Sequence, residues 1–109
     1  MPIANCIVTS NCQEGSSDLI ELWANESSQS PEQMTINITI SNRQLGNQYS
    51  VMSNLYLPSI WSSENIFLLQ LGLAKALAKH FGLALTEVHV ITNIIDSGLV
   101  VESGREINW

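Results

Sequence analysis

One pattern occurs twice in this chain, and that doubling constrains the fold more than any single motif. Asn5-Cys6-Ile7-Val8 is answered by Asn54-Leu55-Tyr56-Leu57, and in each half the strand-like run is followed by a helical stretch and a second strand-like run. The element order is therefore β-α-β followed by β-α-β, with a short C-terminal ribbon. The two units span about residues 2–47 and 48–109 of one domain. A chain of 109 residues buries roughly two-thirds of its unfolded surface, enough for a single modest core. The same order fits a ferredoxin-like regulatory domain, so it leaves the function open.

Each element has a local cause. Ile3 to Thr9 is mostly apolar and β-branched, which predicts a strand buried on both faces. Asp18 is placed to cap a helix, with Glu21 three residues on, and Leu19, Leu22 and Trp23 form a short apolar stripe. That helix gives out in the polar run Glu26 to Ser30, ahead of Pro31. Met34 to Ser41 alternates strictly: Met34, Ile36, Ile38 and Ile40 share one face, Thr35, Asn37, Thr39 and Ser41 the other. After a loop around Gly46, Tyr49 to Leu57 has strand composition up to Pro58. Ser62 opens the strongest helix, where Leu69, Leu73, Ala76, Leu77 and His80 recur at helical spacing. Lys75 and Lys79 favour its negative end, and Gly82 supplies a left-handed stop. Val88 to Ile94 is a fourth strand, and Gly98 and Gly104 punctuate hairpin-like segments up to Trp109.

Composition narrows the partners. Ten acids face four fixed cations, Arg43, Lys75, Lys79 and Arg105, for a net charge of −6. No basic patch exists to neutralise phosphates, so the expected partners include neither nucleic acid nor membrane. No stretch reaches the ~20 apolar residues of a spanning helix, and no charged start precedes an apolar run, so the expected location is cytoplasmic. Cys6 and Cys12 have no His or further Cys pair at ligand spacing, which reads as two free thiols with no metal and no cofactor. No Ser/His/Asp order or glycine-rich phosphate loop appears.

Three features together resemble the tautomerase superfamily: Met1-Pro2 directly before a strand, the doubled β-α-β unit, and Leu85-Thr86-Glu87-Val88-His89-Val90-Ile91 leading to Gly98. Pro2-Ile3-Ala4 is similar to the mature start of 4-oxalocrotonate tautomerase, and the two-unit length to the macrophage migration inhibitory factor branch. The likeness covers nearly the whole chain in layout, with identical residues concentrated at the N-terminus and around Leu85 to Gly98. It implies an α+β, two-layer fold in which tandem units form a four-stranded mixed sheet with two helices on one face. It also implies a homotrimer that buries the other sheet face, with Pro2 in a pocket near a subunit boundary.

The chemistry of Pro2 follows from elementary considerations. Removal of Met1 leaves a secondary amine whose ordinary pKa is about 7.7 to 8.0. An apolar pocket penalises the cation and lowers that value, so a free base exists at neutral pH. Such a base takes a proton from carbon beside a carbonyl and returns it elsewhere, which is keto-enol tautomerisation. The same amine can attack a carbonyl to form an iminium, the start of decarboxylase or hydratase chemistry. Retention of Met1 turns Pro2 into an amide and removes both options.

The resemblance also marks departures. Where the family carries strand arginines that clamp carboxylates, this chain has Thr35 in the first unit and His89 in the second; where an arginine precedes the helix, it has Trp61. His89, whose ordinary pKa near 6.5 lies close to neutrality, and Arg105 are the candidate catalytic helpers of Pro2. Thr35, Arg43, Tyr56 and Trp61 are the candidate substrate-binding residues. Trp61 and Trp109 equally suit subunit contacts. The expected substrate is a small 2-oxo acid or related carbonyl compound. The competing reading is a catalytically silent trimeric binding module.

Overall fold

The computed structural model describes residues 1–109. The first unit is β1 (Ile3–Thr9), α1 (Leu19–Ser27) and β2 (Thr35–Ser41); the second is β3 (Val51–Pro58), α2 (Ser63–Phe81) and β4 (Val88–Ile95). A hairpin of β5 (Val100–Glu102) and β6 (Arg105–Ile107) ends the chain. The sheet order is β2-β1-β3-β4, with β1 parallel to β2, β3 parallel to β4, and the two units joined antiparallel through β1 and β3. Asn5 stands opposite Asn54 at that junction, so the residues that announce the repeat in sequence meet at its seam. No helix is long and apolar enough to cross a membrane.

The helix ends form where side chains satisfy orphan backbone groups. The Asp18 carboxylate accepts from the amides of Ile20 and Glu21, and the Ser62 hydroxyl accepts from Asn65. Gly82 adopts φ 63° and ψ 44°, and its N–H and that of Leu83 bond back to the last turn of α2. Strand β3 begins at Val51 rather than Tyr49 because the Gln44 amide closes the preceding loop, accepting from Tyr49 N at 2.6 Å and donating to its carbonyl at 3.2 Å.

The core lies between the helices and one face of the sheet. Ala4, Cys6 and Val8 of β1 and Val51, Leu55 and Leu57 of β3 point into it, meeting Leu19, Trp23 and Ala24 of α1 and Leu69, Leu73, Ala76, Leu77 and Phe81 of α2. Trp23 is fully buried and its indole donates to the Leu69 carbonyl at 3.0 Å, tying α1 to α2. The helices touch closely at Gly72, where any Cβ would stand 2.9 Å from Ser27 Cβ. Burial of β1 on both faces is not achieved by one chain, because helices cover one side only. Ile7 keeps 43% and Ile91 46% of their surface on the open face.

Candidate active site

Because β1 runs against β3, the start of the chain and the end of the third strand meet at one end of the sheet. Ile3 lies opposite Tyr56 and beside Thr35. Pro2 is buried, and its carbonyl accepts from Thr35 N at 3.1 Å, fixing the first residues against β2. Beside them opens a cleft of about 370 Å³ lined by Met1, Ile3, Gln33, Pro58, Ile60, Val100, Val101, Glu102, Ile107 and Trp109. The C-terminal hairpin supplies one wall. Trp109 holds that wall in place, its indole donating to Ser59 Oγ at 2.9 Å and its backbone N–H to Ser97 Oγ at 2.8 Å.

The candidate residues divide between the two ends of the sheet. Thr35 and Tyr56 flank Ile3 at the Pro2 end, and Trp61 follows the end of β3, packed against the core. His89 begins β4 at the opposite end, its ring 4.7 Å from that of Tyr49. Arg43 lies past the end of β2, also at the opposite end, in a polar surface recess with Thr9, Ser10 and Gln48. Arg105 is exposed on β6, opposite Glu102, and does not line the cleft. Within one chain, then, Pro2, Thr35 and Tyr56 come together, and His89, Arg43 and Arg105 do not join them.

The register does confirm that Thr35 and His89 occupy equivalent places. The shift that carries Asn5 onto Asn54 carries Ile3 onto Met52; Thr35 pairs with Ile3 and His89 with Met52. The cleft wall was not legible in the sequence. Val100, Val101 and Ile107 read only as ribbon residues, and no local signal says that the ribbon folds back beside the N-terminus.

A second cluster escaped sequence reading as well. His80, 5% exposed at the end of α2, shares a hydrogen bond of 2.8 Å between its Nδ1 and Ser17 Oγ, and its Nε2 lies 3.2 Å from Glu14 Oε2. Gly15 donates to the His80 carbonyl at 2.7 Å, and a Cβ there would meet that oxygen at 2.8 Å. These contacts pin the β1–α1 loop to α2, next to a polar cleft of about 540 Å³ far from Pro2. Cys6 and Cys12 are both free; burial pushes the Cys6 thiol up, partly offset by its hydrogen bond to Ser53 at 3.3 Å.

No protein-family model matches the chain, and no curated protein matches it in sequence. Its fold does match solved structures. A symmetric trimer of wild-type fused 4-OT gives a TM-score of 0.76 at 14% identity, over 96% of this chain and 95% of that one. A member of the cis-3-chloroacrylic acid dehalogenase family gives 0.73 at 12% identity, over 97% and 83%. Macrophage migration inhibitory factor from Toxoplasma gondii gives 0.61 at 11% identity, over 95% and 98%. The chain thus has the tautomerase-superfamily fold, a four-stranded mixed sheet with two helices, as the sequence resemblance implied.

Proposed function

We propose that this chain is a homotrimeric isomerase that interconverts keto and enol forms of a small 2-oxo acid or related carbonyl compound, with Pro2 as general base after loss of Met1. The observation that carries the reading is the largely apolar cleft that Met1 itself lines at the start of β1. Removing that residue turns the nitrogen of Pro2 into an amine beside aliphatic walls, where the cation is penalised and the neutral form favoured. The lone pair then takes a proton from the carbon next to the carbonyl. The released electron pair forms the C–C double bond of the enol, and the protonated amine returns its proton to the oxygen.

Thr35 and Tyr56 stand at the same end of the sheet as Pro2 but outside the cleft lining, where Gln33 is the neutral group available to polarise a carbonyl. His89, Arg43 and Arg105 take part only if a neighbouring copy delivers them. Assembly has support in apolar surface that the single chain leaves open outside the cleft: Ile7 and Ile91 on the uncovered sheet face, and Leu99 before the hairpin. A silent trimeric binding module is the second reading, favoured by the absence of any cation in the cleft lining. Decarboxylase or hydratase chemistry would use the same amine.

The test joins two measurements. Intact mass of the untagged protein shows whether Met1 is lost, and an ultraviolet assay follows ketonisation of enol substrates by wild type and Pro2→Ala. The expected result is a processed chain with activity that Pro2→Ala lacks. Retained Met1, or equal inertness of both proteins across several substrates, overturns the isomerase. Light scattering checks the trimer separately; a monomer removes any contribution from His89, Arg43 or Arg105 of a neighbour.

A further inference from the structure

Resting on the reading of Pro2 as the reactive group, and narrowing its substrate from 2-oxo acids to the related uncharged compounds, we infer that its cleft selects uncharged carbonyl compounds, and that Glu102 is the residue that turns carboxylates away. With Met1 removed, six of the nine remaining lining residues are hydrophobic. Of the rest, Pro58 offers only hydrocarbon as a side chain, Gln33 offers a neutral amide, and Glu102 brings a negative charge. No lysine, arginine or histidine lines the cleft. A neutral Pro2 amine, which base catalysis requires, adds no positive charge.

The four fixed cations of the chain are placed elsewhere. Arg43 sits at the far end of the sheet, and Lys75 and Lys79 lie on α2, where Lys79 pairs with Glu26. Arg105 is opposite Glu102 in the hairpin register, yet it makes no ion pair with it and stays outside the lining. From Asp96 to Trp109 the chain carries Asp96, Glu102 and Glu106 against that single arginine.

Two costs therefore fall on a carboxylate in this cleft. It loses water against aliphatic walls with no charged partner in exchange, and it meets the like charge of Glu102. A ketone or aldehyde of similar shape loses far less. Its hydrocarbon packs on Ile60, Val101 and Trp109, and the Gln33 amide is available to its carbonyl oxygen. The cleft volume, about 370 Å³, falls in the range of small-molecule sites, about 300 to 1,000 Å³.

The experiment is isothermal titration calorimetry at low ionic strength on protein whose Met1 loss is verified by mass. The probes are 4-phenylbutan-2-one and its carboxylate counterpart, 2-oxo-4-phenylbutanoate. Wild type is expected to bind the ketone at least about tenfold more tightly, since a like charge about 4 Å away near a surface costs more than the bulk-water interaction. Glu102→Gln narrows the gap several-fold, Glu102→Lys reverses it, and Val101→Trp, which fills the mouth, abolishes ketone binding. Both positions are exposed, so the fold is retained. Carboxylate binding in wild type as tight as that of the ketone, which a cation from a neighbouring copy would produce, overturns the inference. So does a preference that ignores Glu102, or failure of both probes to bind. The two proposals fail separately: turnover of the 2-oxo acid that depends on Pro2, with tight carboxylate binding, sinks only this one. Selective ketone binding without any Pro2-dependent turnover sinks only the isomerase.

Discussion

The two β-α-β units share a backbone plan and differ in what they can do. In the first, a nine-residue α1 packs its indole at Trp23 into the core; in the second, α2 runs for 19 residues and supplies most of the helical core. The difference that matters chemically lies at the start of each unit. The shift that aligns the repeats carries Pro2 onto Val51, a fully buried residue in the middle of the chain. An internal residue has no free backbone amine whatever its side chain, so two units joined in one chain hold one such amine where two separate chains would hold two. Repetition of the fold therefore does not repeat the proposed site.

Substitutions at these paired positions test that asymmetry most strongly. Pro2→Ala in processed protein is expected to lower kcat/KM by about 10²- to 10⁴-fold, the usual contribution of a positioned base. Val51→Ala is expected to lower the melting temperature and leave kcat near its original value. A comparable loss of kcat from both variants would show that the units are not chemically distinct.

Next in size comes the packing between units. Trp23→Ala removes the largest fully buried side chain and its bond to Leu69, with an expected cost of about 3–5 kcal/mol in denaturant unfolding. Gly72→Ala pushes a methyl onto Ser27 of α1, and about 1–3 kcal/mol of destabilisation is expected. If that variant were as stable as wild type, the helices would have room to separate and the close contact would not hold the units in register.

The smallest effect distinguishes the two cysteines of the first unit. A thiol whose pKa is raised carries less thiolate at any given pH, so buried Cys6 should alkylate with iodoacetamide much more slowly than half-buried Cys12. Peptide mass mapping at pH 8 reads this directly. Equal rates would mean that β1 opens readily from the helices.

Features governed by neighbours in sequence were legible without a structure. Asp18, Ser62 and Gly82 each act within a turn of their own helix, and the alternation from Met34 states which face of β2 meets the core as far as Ile38, Ile40 staying exposed at the strand end. The equivalence of Thr35 and His89 was legible too, because a repeat preserves register. Tyr49 was misread as strand because the competing partner, the Gln44 side chain, leaves no mark in strand composition.

The sequence by itself thus determined the doubled unit, the caps, the core stripe and the presence of a proline at the head of a strand, since periodicity and local hydrogen bonding decide all of these. Only the tertiary structure decided what surrounds that proline. The antiparallel seam between β1 and β3 brings Pro58 and Ile60 beside the N-terminus and leaves His89 and Arg43 at the far end. The bonds from Trp109 to Ser59 and Ser97 then fold the hairpin over the opening. Those contacts join residues far apart in the chain, and no local pattern encodes the direction in which a free ribbon will turn.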